Sequence, residues 1–255
     1  MQGVNLKLVW AGKSFGVETG SPIDISLPIR DSRQKKNPSA WYVDGPRFDV
    51  VKGEGFIGRV AKGGSVNFTD VYFNPHGHGT HTECLGHITA EFESIDEQVR
   101  SSALSFIMPC QLITIKPDAI DGDLVILPEH LPTGIKLPKS VVIRTLPNSI
   151  DKKTRAWDNT NPPYLNPEFT KLLVKQNVEH LLIDLPSVDR EVDGGALLSH
   201  HIFFGLPSSP RHQATITEFV FVPNNISDGL YALNLQVAPF DLDASPSRPV
   251  LFPLK

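Results

Sequence analysis

Residues 73–88 read FNPHGHGTHTECLGHI and place four histidines, His76, His78, His81 and His87, within 12 positions, with Glu83 among them. The chain has nine histidines in all. Three more, His200, His201 and His212, fall within 13 positions far downstream, and Glu218 follows them. Imidazole nitrogens and carboxylate oxygens are the ligands that Zn²⁺ and Mn²⁺ accept. A cation held by about three protein ligands with one open position turns water into a nucleophile at neutral pH.

Spacing makes such a site buildable. On an extended segment His81 and Glu83, two residues apart, project from one face. Gly77 and Gly79 give access to positive φ, which would let His76 fold back toward that face. His81, Glu83 and His87 would be a costly set to bury without partners, so metal or catalytic use outweighs an exposed loop. His76 against His78, and His200 against His201, stays open at this level. His130 and His180 read as hydrogen-bonded structural histidines. His212, beside Arg211 in a polar stretch, reads as a solvated loop residue.

Other chemistries lack their signatures. Cys84 and Cys110 are the only cysteines; two do not make a disulfide scaffold, and Cys84 reads as a small apolar filler rather than a nucleophile. The glycines at 53, 55, 58, 63 and 64 match neither the P-loop nor G-x-G-x-x-G after a strand, and no G-x-S-x-G elbow is present. A net charge of -4 with no basic block argues against nucleic acid. No apolar run reaches bilayer length and no signal-peptide core opens the chain. A cytoplasmic protein without membrane contact is therefore expected, and the sequons at Asn67 and Asn225 carry little weight.

The elements that must position these residues are mostly strands. With 22 prolines and 19 glycines among 255 residues, short elements and many turns are expected. Alternation or apolar runs predict strands over 21–29, 65–73, 103–115, 139–146, 180–188, 214–222 and 229–237. The clearest helix spans 166–177, with Asn166 as cap, Pro167 in the first turn, and Phe169, Leu172 and Leu173 on one face. Helix then strand is the unit of a mixed sheet. The fold class is α/β with antiparallel character, strand-rich with few helices, in a single domain over 1–255. Trp41, Tyr42 and Phe48 read as exposed in the loop-rich stretch before residue 70. Together with Phe73 and Trp157 they are candidate walls of a substrate pocket.

In "GTHTECLGH" (residues 79–87) the sequence resembles the cyclase superfamily of metal-dependent hydrolases, which includes bacterial kynurenine formamidase and isatin hydrolase. Gly79, Thr80, His81, Glu83 and His87 fall at the spacing of its His-x-Gly-Thr-His-x-Asp-x-Pro-x-His signature. "IDISLPI", "VVIRT", "IDLPSVD" with "LLSHHIFF", and Glu218 in "TITEF" resemble further family blocks, in order from residue 23 to residue 218. The resemblance implies a swivelling β/β/α domain, a homodimer or homotetramer, and one or two Zn²⁺ or Mn²⁺ ions. It implies His81, Glu83, His200 and Glu218 as metal ligands, and His87 as general acid/base for hydrolysis of a small-molecule amide. Where the family has its first histidine this chain has Gly77; His76 is the favoured substitute. Glu83 stands for an Asp, Leu85 for a Pro, and 205–211 ("GLPSSPR") for an insertion. Two other readings are a metal-binding protein of this fold without turnover, and a lactone or polyketide-type cyclase.

Overall fold

The computed structural model describes residues 6–101 and 106–255. Its centre is a sheet of eight strands: β1 (Ile23–Asp24), β2 (His81–Glu83), β3 (Ile107–Ile115), β4 (Ser140–Thr145), β5 (His180–Ile183), β6 (Thr215–Glu218), β7 (Gly229–Val237) and β8 (Ala244–Pro253). Seven of them close in the order β7-β3-β4-β5-β6-β2-β8, with β8 returning to β7; β1 hangs on the outer edge of β8. The β3-β4-β5-β6 run is parallel, and β2, β7 and β8 close it antiparallel. Closure leaves no free edge in the ring. The expected strand-rich α/β architecture with few helices is what the chain forms.

Period-two alternation sorts most of the sheet's apolar residues into two clusters, one on each face. Met108, Cys110, Leu112, Val142, Leu182, Leu233, Leu235 and Leu251 fill the barrel. Of the α-helices among the described residues, α1 (Ile95–Arg100), α2 (Pro167–Lys175) and α3 (Leu198–Phe203), the last two cover the outward-facing Ile113, Ile115, Val141, Ile143, Leu181, Ile183 and Ile216, meeting them with Phe169, Leu173 and Phe203. Strands β3 to β5 are thus apolar on both faces, which is why they read as near-continuous hydrophobic runs. Helix α2 starts where the sequence places it: Asn166 accepts from the Glu168 amide at 2.8 Å, and Pro167 opens the first turn. Of its expected face, Phe169 and Leu173 are fully buried, and Leu172 packs at the margin.

Several predicted strands are shorter than their sequence pattern. The 21–29 pattern pairs only over Ile23–Asp24, and 65–73 only over Thr69–Tyr72. The 180–188 strand stops at Ile183, and the next residue, Asp184, pairs with the Lys152 ammonium. The 214–222 strand ends at Glu218 because Phe219 takes φ 55°, which breaks extension. Residues 103–105 of the 103–115 prediction lie outside the described residues. Cys84 and Cys110 are both free and buried, so no disulfide joins them.

Candidate metal centre and active site

Strand pairing assembles the site. In the β6–β2 register Glu218 lies opposite His81, and Ile216 opposite Glu83. Period two therefore puts His81, Glu83 and Glu218 on the outer face of the barrel, while Thr82 and Thr217 turn the other way and bond each other at 2.8 Å. Helix α3 brings His200 over that face. The Asp189 carboxylate takes the Ser199 and His200 amides at 2.7 and 3.0 Å and the His200 Nδ1 at 2.6 Å, leaving Nε2 2.9 Å from Glu83 Oε1.

The 76–80 loop supplies the third wall. Gly79 has φ +69°, and a Cβ there would stand 2.8 Å from the Leu27 carbonyl oxygen. Gly77 is required for another reason: a Cβ would fall 2.4 Å from Val43 Cγ2. The expectation of positive φ holds at Gly79 but not at Gly77, where close approach decides. No side chain fits at position 77, so His76 enters the site instead. Its Nδ1 lies 3.2 Å from Glu83 Oε2, and its ring is 5.3 Å from that of His81. Thr80 ties the loop down, accepting from the Leu27 amide at 2.7 Å and donating to the Phe219 carbonyl at 2.5 Å.

All six predicted site residues converge: His76, His81, Glu83, His87, His200 and Glu218. His81 Nε2 is 3.3 Å from Glu218 Oε2, and His87 Nε2 is 3.8 Å from Glu83 Oε2. His78 instead points away and accepts the Asn74 amide on Nδ1 at 3.0 Å. His201 sits one helical step from His200 outside the cluster. His130 accepts the Leu127 amide, and His212 is exposed beside Glu93, as expected. Asp189 and Asp243 are carboxylates of the site that sequence reasoning missed. Asp189 ends the "IDLPSVD" block and could have been found there; Asp243, in "FDLDAS", carries no sequence signal.

The charges show what the cluster lacks. Burial opposes charge on Glu83, yet His87, His200 and His76 hold its carboxyl well below the usual range. Burial and the Glu83 charge push Glu218 up. Burial also opposes charge on the imidazoles, but Asp243 and Glu83 hold His76 at about 10, and Asp189 and Glu83 hold His200 at about 10. Buried carboxylates at this density need positive charge beside them. His81 Nε2, Glu83 Oε2 and Glu218 Oε1 are buried without a directed hydrogen bond among the described residues. Nitrogen and oxygen donors left open around one point suit a divalent cation. His76, His81 and Glu83 offer one ligand atom each within 4.8 Å, as do Glu83, His87 and His200.

A cavity of about 250 Å³ opens onto this cluster, lined by Trp41, Asn74, His76, His87, Leu197 and Glu218. Trp41 and Leu197 hold left-handed backbone, φ 68° and 43°, strain that collects at functional walls. Of the five aromatics expected as walls, only Trp41 lines it. Tyr42 is exposed and bonds Glu191, Phe73 packs on Phe240, and Trp157 is buried under Arg155. Phe48 lines a separate cleft of about 320 Å³ with Arg30 and Arg59, away from the ligand set. Cys84 lies beside the site, but burial pushes its thiol up to about 12, so it is a filler and not a nucleophile.

A closed mixed barrel with a buried histidine–carboxylate centre at the foot of an open cavity defines the class. The Cyclase family model ("Putative cyclase") matches residues 23–190, and the chain belongs to that family. It is 26% identical over 243 residues to the kynurenine formamidase of Bacillus cereus, covering 93% of this chain and 100% of the relative. The kynurenine formamidase of Bacillus thuringiensis is 27% identical over the same shares. Isatin hydrolase A from Labrenzia aggregata superposes with a TM-score of 0.65 at 14% identity, over 91% of this chain and 93% of that one. The structure of a predicted metal-dependent hydrolase from Bacillus stearothermophilus gives 0.61 at 17% identity, over 91% and 98%. No helix among the described residues is long and apolar enough to cross a membrane.

Proposed function

We propose that this chain is a metal-dependent hydrolase of small amides, of the aryl-formamide or cyclic aryl-amide kind. One observation carries the reading: His81 Nε2, Glu83 Oε2 and Glu218 Oε1 are buried in one cluster without a directed hydrogen bond among the described residues, and a half-exposed His87 shares the cavity above them. A binding site without turnover needs no such imidazole. The family, and relatives that hydrolyse kynurenine-type formamides or isatin, support the same chemistry.

His76, His81, Glu83, His200 and Glu218 would hold one or two ions, zinc or manganese, their donors being nitrogen and oxygen. When bound, the cation acidifies water and polarises a carbonyl. Glu83 faces both ligand groups, with Oε1 toward His200 and Oε2 toward His76, so its carboxylate would serve either group of ligands. His87 Nε2 takes the proton from attacking water and returns it to the leaving nitrogen. Trp41 offers a flat apolar face for an aryl group. The barrel excludes water from the ligands, since His81, Glu83 and Glu218 are 0, 1 and 3% exposed. A homodimer or homotetramer is the proposed assembly, with no nucleic acid as partner.

Elemental analysis of protein purified without added metal tests the reading, on wild type and on His81→Ala, Glu83→Ala. Wild type is expected to carry about one or two equivalents of zinc or manganese that the double variant lacks. It should then hydrolyse N-formylkynurenine, simple aryl formamides or isatin. Wild type that holds neither ion, even after titration, would refute the mechanism.

A further inference from the structure

Asp243 stands just before β8, and strand register fixes its place. Ala244 pairs with Glu83 across β2 and β8. The Asp243 carbonyl accepts the Cys84 amide at 3.0 Å, and the neighbouring Leu242 carbonyl accepts the Ile95 amide at 2.9 Å. This holds the carboxylate over two stacked imidazoles, His76 and His87, whose centroids are 4.2 Å apart at 27°. One oxygen, Oδ2, reaches both: His76 Nε2 at 2.9 Å and His87 Nδ1 at 3.0 Å.

A carboxylate only accepts, so both contacted nitrogens carry hydrogen; once neutral, as ligating a cation requires of His76 and taking a proton requires of His87, an imidazole has only that one N–H. The free lone pairs are then His76 Nδ1 and His87 Nε2. Both face Glu83 Oε2, at 3.2 and 3.8 Å. We propose that Asp243 is a positioning residue that sets the tautomer and orientation of two imidazoles at once, turning His76 Nδ1 toward the cation and His87 Nε2 toward the reacting atoms. The assignment rests on the hydrolase reading for what the two nitrogens then do. It explains how His76 serves from a position one residue off the family pattern. His76 is stacked on His87 and tied to the same oxygen.

The test uses the full chain, wild type and Asp243→Asn, Asp243→Ala and Asp243→Glu, with zinc as probe. Asp243→Ala removes the acceptor and with it the constraint on both rings, whereas the Asn amide oxygen can take the place of Oδ2 and still accept both N–H groups without the charge. Nitrogen-15 spectra of histidine-labelled protein, with and without zinc, should show His87 as the Nδ1–H tautomer in wild type. They should show it as Nε2–H, or as a mixture, in Asp243→Ala. Zinc affinity by chelator competition should fall about 10- to 100-fold in Asp243→Ala, the usual cost of an outer-shell partner. On an aryl formamide, kcat of Asp243→Ala should fall about 100-fold or more with KM little changed, as for a displaced base, and that of Asp243→Asn less. Asp243→Glu should recover part of it.

An unchanged His87 tautomer overturns the role assigned at His87. Zinc affinity within twofold of wild type overturns the role at His76. Wild type that binds no zinc or manganese defeats the hydrolase reading itself, while the tautomer spectra still decide what Asp243 does.

Discussion

His180 gives the structure a measurable acid weakness. It opens β5 and is 2% exposed, with Nδ1 3.0 Å from Thr215 Oγ1. Burial, then the nearby charges of Lys139 and Arg211, push it down from 6.5 to about 4. Because the folded value lies below the unfolded one, the unfolded chain binds more protons between those pH values. The stability is present above pH 6.5 and is lost as pH falls toward 4. A shift of that size amounts to about 3 kcal/mol in full, of which about 2 kcal/mol is lost between pH 7.5 and pH 5. His180→Gln keeps a hydrogen-bonding amide but does not titrate. Urea unfolding of both proteins, with metal removed by chelator, isolates the contribution, since every other titrating group is shared. Wild type should lose about 2 kcal/mol more than the variant over this interval. A difference below about 0.5 kcal/mol, within the spread of such measurements, would show that His180 accepts a proton in the folded state and refute the burial argument.

Lys152 and Asp184 form a buried pair at 2.8 Å, 4 and 0% exposed, with the ammonium also donating to the Thr145 carbonyl and hydroxyl. Lys152→Met should cost about 3–5 kcal/mol by leaving the carboxylate uncompensated. Adding Asp184→Asn should recover part of that in urea unfolding; no recovery would mean the loss came from packing. Gly79→Ala meets both a positive φ and the Leu27 carbonyl, whereas Gly63→Ala meets a φ of +88° with nothing within 4 Å. Both should lose about 1–2 kcal/mol from the left-handed backbone, but only Gly79→Ala should also lose bound zinc or manganese by elemental analysis. Equal metal content in the two would separate the loop from the site.

The sequence alone carried much of this protein. Period-two alternation marked β7 over the same residues the structure pairs, and capping chemistry marked the start of α2. Both are local properties, readable wherever the chain's own pattern decides the element. Density and residue type marked the 76–87 cluster, because histidines beside a carboxylate are expensive to bury without a purpose. The ten-residue strand β8 was not legible: Pro246, Pro249 and Pro253 argue against a strand that sits between partners. Its place is fixed by pairing with β7 and β2 and by closure of the ring. Helix α3 was hidden too, following Gly194, Gly195 and a left-handed Leu197. What only the tertiary structure decided are the choices that depend on partners distant in the chain. His76 is taken over His78 because the His78 ring is turned onto the Asn74 amide, and His200 is taken over His201 because Asp189 grips its amide and ring. Asp243 joins the site because β8 runs beside β2, 156 residues from His87. Residue type announces which chemistry a chain can do, but register and side-chain direction decide which atoms meet, and both are set by contacts that no local window contains.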